Sequence, residues 1–153
     1  MSYVNYNGIG TGSMSAAHAE IERGLVFQGG LGNVHEVNIT LQCQGLPRIS
    51  LQVQGTRDGG ASTGSTVPYL DAILYGSIQT AAELEGTPTL SLFELARMTI
   101  PMGSNGTTHP LAPIYMEFNT SVKFLRLNIT LPNAYIASDT NYGKMYARLM
   151  ASQ

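Results

Sequence analysis

The sequence predicts an all-β fold, an antiparallel β-sandwich or jelly roll with one or two short helical turns. Polar and apolar residues alternate over residues 37–43, 49–53 and 125–131, and a period of two is typical of strands with one buried face. Segments rich in Gly, Pro and Asn separate these stretches, with no repeated helical segments between them. Charged residues make up 12% of the chain, about half of the ~25% usual in soluble proteins, which suits a sheet protein with many small polar residues.

The alternation also assigns individual residues to the core. Cys43 shares its parity with Val37, Ile39 and Leu41, so it is predicted to be a small core residue. A Gly-Leu-Pro break separates this strand from the strand at 49–53, and the spacing predicts that the two pair as a hairpin. Further strands are predicted at 98–102, 114–118, 125–131 and 144–150.

Two segments are predicted to be helical, and a third could be either helix or strand. Residues 14–23 contain alanines that favour a short helix. Ser91 and Glu94 have the spacing of a capping box, which predicts a helical turn running to about Met98. Residues 69–78 fit either a strand interrupted by a glycine or a short helix.

The chain is predicted to form a single domain over residues 14–153, preceded by an extended N-terminal arm over residues 1–13. The arm is rich in Gly, Ser, Asn and Tyr, a composition that cannot pack a core by itself. Its apolar residues exceed what a plain linker needs, so we expect it to order on a partner. Because tyrosine combines apolar area with a polar tip, the candidate protein-contact residues lie in the arm and in later segments interpreted as loops: Tyr3, Tyr6, Ile9, Tyr135 and Tyr142.

Net charge and hydropathy argue against two classes of partner. The net charge is −2, and eight basic residues spread over the chain form no patch that could neutralise several phosphates. We therefore expect neither nucleic acid nor a membrane surface as a partner. No apolar run reaches the ~18–20 residues of a membrane span, and the first residues do not resemble a signal peptide, which predicts synthesis in a cytoplasm.

Motifs that could carry catalysis or metal binding lack their required context. Residues 60–64 match G-x-S-x-G, but the strand–elbow–helix surroundings that activate such a serine are missing, which favours a surface loop. Glycines at 8–12 follow no strand and lack the lysine of a phosphate loop. His35 and Cys43 would lie about 26 Å apart along one strand, too far for one metal ion. The sequence thus predicts no enzyme and no cofactor.

The closing segments resemble a known family. Residues 123–131 (KFLRLNITL) and 143–150 (GKMYARLM) are similar to the last strands of capsid cement, or decoration, proteins of tailed bacteriophages, in particular the jelly-roll type of Bordetella podophages. Residues 46–54 and 111–118 are also similar to that pattern. Residues 69–100 match it less well.

The resemblance implies a virion protein on the capsid surface that binds the major capsid protein and cements neighbouring subunits. It also implies a homo-oligomer, either a dimer or a trimer. The family supplies no catalytic residues. Two alternatives stay open: another virion component, such as a head-fibre base or tail protein, and a carbohydrate-binding β-sandwich, which would need an exposed aromatic platform.

Overall fold

The computed structural model describes residues 13–15, 18–43, 45–56, 65–80, 92–102, 113–139 and 141–153. These ranges contain a single turn of 3-10 helix, at Asn133–Tyr135, and the following strands: β1 (Ser13–Ser15), β2 (His18–Gln28), β3 (Glu36–Gln42), β4 (Arg48–Thr56), β5 (Ser65–Thr66), β6 (Tyr69–Ser77), β7 (Phe93–Pro101), β8 (Ile114–Asn119), β9 (Phe124–Thr130) and β10 (Asn141–Ser152). No helix in this part of the chain is long and apolar enough to cross a membrane.

The strands form two sheets that face each other. The larger sheet has the order β1-β2-β10-β4-β8, with β5 beside β10, and the smaller sheet has the order β3-β9-β6-β7. Every pairing is antiparallel except that of β5 with β10. If the eight longer strands are counted along the chain, the two sheets read 1-8-3-6 and 2-7-4-5, which is the strand order of a jelly roll. The predicted fold class is therefore confirmed.

The core lies between the sheets and is built by alternation along each strand. In β10, every second residue from Met145 to Ala151 is buried, while the residues between them face outward. In β9, Leu125, Leu127 and Ile129 are buried in the same way. Burial of apolar area on both inner faces is the main favourable contribution to the stability of such a sandwich.

The predicted hairpin between the first two long alternating stretches is wrong. β3 pairs with β9, whereas β4 pairs with β10 and β8 in the other sheet. The connection crosses between the sheets beside the β8–β9 connection, to which its amides bond: Cys43 N–H donates to the Lys123 carbonyl (2.8 Å) and Gly45 N–H to the Val122 carbonyl (3.2 Å). A period of two identifies the buried face of a strand but does not say which sheet contains it.

Both predicted helices are also wrong. Residues 14–23 contribute to β1 and β2, with residues 16–17 outside the described ranges, and Ala19 and Ile21 fill the core by strand alternation. Of the capping-box segment, Ser91 lies outside the described residues, and residues 93–98 belong to β7, which pairs along β6. Here strand pairing and burial outweigh local helix propensity, which is worth only a few tenths of a kcal/mol per residue. The ambiguous segment 69–78 is strand β6, with a register shift between Leu74 and Tyr75.

Parts of the predicted arm and loop fall outside the described residues. Ser13, the last residue of the predicted arm, belongs to β1 and pairs with Glu20; residues 1–12 are outside the description. The predicted loop 55–66 begins within β4 and ends with β5, so both of its ends are strand. Residues 57–64, which include the candidate serine motif, are outside the described residues.

Cys43 occupies the core position that its parity predicts. Its side chain is fully buried, and burial raises the pKa of the thiol to about 12. A thiolate is the reactive form of cysteine, so the native protein keeps this group in its inert form.

Replacing Leu127 with Asp tests the sandwich core. Leu127 is 0% exposed and lies opposite Ile39 on one side and Leu74 on the other. A carboxylate there is buried without a partner, and we expect a loss of several kcal/mol from a total stability of about 5–15 kcal/mol. Urea unfolding followed by circular dichroism measures the effect. Ser121→Asp, at an exposed position, is the control, and equal midpoints for the two variants would contradict the assigned core.

Candidate interaction surface

Two connections meet at one end of the sandwich. The β2–β3 connection (residues 29–35) and the β9–β10 connection (residues 131–140) are joined by backbone hydrogen bonds. Gly29 N–H donates to the Asn141 carbonyl (2.8 Å), Gly30 N–H to the Ile136 carbonyl (2.6 Å), and Leu131 N–H to the His35 carbonyl (2.8 Å). The two loops therefore form one hydrogen-bonded platform, which we call the loop end.

The sequence of the β2–β3 loop explains why it adopts this shape. Gly30 and Gly32 have φ values of 92° and 85°, which residues with a Cβ seldom adopt. A Cβ on Gly29 would lie 2.1 Å from the Ser138 carbonyl oxygen, so only glycine allows the second loop to approach this closely.

Side chains of the same loop add further bonds. The Asn33 amide donates to the Gly29 carbonyl at 2.6 Å. The Nε2 of His35 lies 2.7 Å from the Gly30 carbonyl; because a carbonyl only accepts, this nitrogen carries the proton. These contacts restrain the loop from both of its ends.

The restrained loop presents apolar side chains to solvent. Leu31 is 99% exposed and Val34 is 48% exposed. A leucine gains about 1.5–3 kcal/mol when it is fully buried against a partner, and here none of that gain is realised within the chain. The restrained backbone therefore leaves the Leu31 side chain uncovered and accessible to a partner.

The structure describes two of the five predicted contact residues. Tyr135 lies at the loop end but is half-buried and packed on the core, with its ring 6.1 Å from that of Tyr69 in an edge-to-face arrangement. Tyr142 was predicted to lie in a loop, and this is wrong: it belongs to β10 and pairs with Gln28, because β10 begins earlier than its apolar alternation shows. The other three candidates lie outside the described residues: Tyr3, Tyr6 and Ile9.

Leu31 was not predicted as a contact residue. The only signal in the sequence is a single leucine between glycines (GGLGN), which we interpreted as a turn. A turn assignment gives the backbone shape but not the exposure of the side chain at its tip.

Beside the loop end lies a polar depression of about 280 Å³, which His35, Glu36 and Asp71 help to line. Across the described ranges no three His, Cys, Asp or Glu side chains are grouped so that they could hold a metal ion. The depression therefore offers polar groups that could bond to a partner surface, but no set of metal ligands among the described residues.

The outer face of the larger sheet carries a network of charged side chains. Arg148 on β10 donates to Glu20 on β2 at 2.5 Å, and His18 lies 3.5 Å from the same carboxylate. Tyr146, also on β10, donates a hydrogen bond from its hydroxyl to Glu22 on β2. The hydrogen bond from Arg148, helped by the positive charge of that group, holds the pKa of Glu20 below its ordinary value of 4.5.

A shallow depression of about 110 Å³ adjoins this network. Tyr115 of edge strand β8 forms one wall and is 58% exposed. The Nε of Arg148 is buried and finds no hydrogen-bond acceptor within the described part of the chain. The depression thus presents an exposed aromatic ring, and its complete lining is Ser50, Gln52, Tyr115, Arg148 and Met150.

Comparisons with known proteins do not define a family. No family model matches the chain, and no curated protein matches it. Among solved structures, the K1 cleaved adhesin domain of Lys-gingipain from Porphyromonas gingivalis W83 is similar at 13% identity, with a TM-score of 0.44 over 97% of this chain and 82% of that chain.

Other similar structures come from different sources. Aeromonas hydrophila PliG, a periplasmic inhibitor of g-type lysozyme, has 8% identity and a TM-score of 0.33 over 90% of this chain and 88% of that chain. A structure of infectious bursal disease virus, Gt strain, has 10% identity and a TM-score of 0.32 over 88% of this chain and 33% of that chain. With TM-scores below 0.5, these similarities assign no function to this chain.

The charge network predicts a pH-dependent stability. Because the pKa of Glu20 is lowered in the folded state, its interaction with Arg148 stabilises the protein above the ordinary carboxyl pKa of 4.5 and is lost as the pH falls through the folded value. Arg148→Gln should lower the melting temperature by a few degrees at pH 7. At about pH 3 the difference from wild type should shrink.

Arg97→Gln is the matched control, because Arg97 forms a more exposed bridge with Glu94 on β7. Exposed pairs of this kind contribute little, so its melting temperature should stay near that of wild type at both pH values. A pH-independent loss in Arg148→Gln would show that Arg148 acts through packing instead of charge.

Proposed function

We propose that this chain is a structural protein of a virion, which binds the outside of a phage capsid and cements neighbouring major capsid protein subunits. The single observation that carries the binding role is Leu31, fully exposed at the tip of a loop whose backbone is bonded to the neighbouring connection. Because the loop is already ordered, little conformational entropy is lost when Leu31 enters a pocket on a partner.

The jelly roll supports the same role mechanically. Its two sheets form a stiff body that carries the loop end at one extremity. A cementing protein needs no single tight contact, since many copies that each bridge two subunits resist separation together. One exposed leucine per copy, with the polar depression around His35 and Glu36 beside it, is enough for such distributed binding.

The virion assignment derives from the resemblance to phage cement proteins. The segments that carry the resemblance fall on described strands, which are β4, β8, β9 and β10. A head-fibre base or a tail protein remains the alternative within the virion, and copy number separates these possibilities.

Mass spectrometry of purified particles tests the assignment. Particles produced by the strain that carries the gene should contain this chain in amounts comparable with the major capsid protein. A few copies per particle would favour a head-fibre or tail component instead. Absence from the particles would overturn the virion proposal.

The Leu31 contact is tested by adding purified protein back to particles that lack it. Leu31→Ser should attach at least about tenfold more weakly than wild type, which corresponds to about 1.4 kcal/mol. Its melting temperature should not change, since the side chain touches solvent only. Val26→Ser, at a 58% exposed position on the outer sheet face, is the matched control and should attach normally. Equal attachment of both variants would remove the loop end from the interface.

A carbohydrate-binding role is the second candidate, and the depression beside Tyr115 favours it. An exposed tyrosine ring can stack on a sugar, and the side-chain amide of Gln52, which also lines the depression, can bond to its hydroxyls. A glycan array should then show binding that Tyr115→Ala abolishes, while Tyr75→Ala, in the smaller sheet, retains it. No binding to any glycan would eliminate this candidate.

A further inference from the structure

The free edge of β8 is an unusual feature of the larger sheet. Among the described residues, β8 is the last strand in the sheet order and pairs with β4 alone. Its residues alternate strictly between half-buried and exposed. Glu117 is its one charged residue; it contains no proline, lysine or register shift, which are among the devices that keep an exposed edge from pairing with another chain.

The inner row of β8 is incompletely covered. Ile114, Met116 and Phe118 point toward the core and pack against it, yet each is only partly buried. The edge strand β3 of the other sheet differs, since its inward residues Val37 and Ile39 are at most 2% exposed. The β8 edge therefore leaves apolar area that its own sandwich does not bury.

The sequence of β8 is complementary to itself in one antiparallel register. Consider two copies related by a two-fold axis perpendicular to the sheet. Because side chains alternate between the two faces, an inward residue of one copy must lie opposite an inward residue of the other, and an outward residue opposite an outward one. A register centred on Met116 sets Tyr115 opposite Glu117 of the second copy on the outer face. It sets Ile114 opposite Phe118 of the second copy on the inner face.

Neighbouring registers are less favourable. Centring on Glu117 places two carboxylates directly opposite each other, and like charges at such positions are destabilising. Centring on Tyr115 brings Pro113 into the ladder, where it has no N–H to donate. The register on Met116 avoids the paired carboxylates and places Pro113 only at the end of the ladder, opposite Asn119. It also gives two tyrosine–carboxylate pairs and joins the apolar rows.

We propose that the partner of the β8 edge is a second copy of this chain, paired antiparallel about Met116, so that the two larger sheets become one continuous sheet. The dimer forms between free copies and does not depend on the capsid role. It leaves the loop end of each copy outside the shared strands, so both Leu31 side chains stay available.

Sedimentation equilibrium measures the dimer directly. Wild-type protein should sediment as a concentration-dependent dimer. Combining Tyr115→Lys with Glu117→Lys places lysines opposite each other twice on the outer face and should weaken the dimer at least about tenfold. Both positions are exposed, so the monomer should keep its melting temperature. Thr99→Lys with Ser121→Lys adds two lysines at exposed positions elsewhere and should dimerise normally.

Disulfide trapping identifies the register. In the proposed pair the two Met116 Cα atoms lie about 4.5–5.5 Å apart, within reach of a disulfide. Met116→Cys should cross-link on mild oxidation, and Cys43 does not interfere because it is buried. Asn119→Cys, on the same strand, would place its two thiols roughly 20 Å apart and should not cross-link.

Three results would overturn the proposal. One is a wild-type protein that stays monomeric at every concentration tested. Another is a dimer that the lysine pair does not weaken. The third is cross-linking of Asn119→Cys but not of Met116→Cys in folded protein.

Discussion

The structure depends on the central position of β10. This strand is paired with β2 on one side and β4 on the other along nearly its full length, so it joins the first long strand of the chain to the third. Its inward residues are Met145, Ala147, Leu149 and Ala151, alternating large and small side chains against the facing sheet. Because these pairings connect residues far apart in sequence, the larger sheet is complete only when β10 has paired with both β2 and β4.

The loop end follows from this arrangement. β10 starts where the β9–β10 connection ends, and Asn141 accepts the amide hydrogen bond of Gly29. The β2–β3 loop is therefore positioned by the same strand that completes the larger sheet. A mutation that displaces the start of β10 would be expected to disturb Leu31 without touching it.

The sequence predicted the fold better than the site. Alternation located β3, β4, β8 and β9 to within one or two residues in most cases, because burial of one face imposes a pattern that a single segment displays by itself. The sheet that contains each strand was not predictable in this way, since it depends on partners elsewhere in the chain. The pairing of β4 with β10 in place of β3 is the main example.

The helix errors and the missed contact residue have related causes. The alanines near residue 16 and the Ser91–Glu94 spacing favour helix locally, but the pairing of β2 with β10 and of β7 with β6 decides the outcome. Leu31 looks like an ordinary loop residue until the bonds around it are known. The buried state of Cys43, by contrast, followed from parity alone.

The length of β10 separates the loop end from the opposite end of the sandwich. β10 spans Asn141 at the loop end to Ser152 at the opposite end, which is roughly 36 Å along an extended strand. A particle coated through Leu31 would then hold the Ser152 end away from its own surface. Peptides or dyes joined there would be exposed to solvent in a regular array, at a spacing set by the coated lattice.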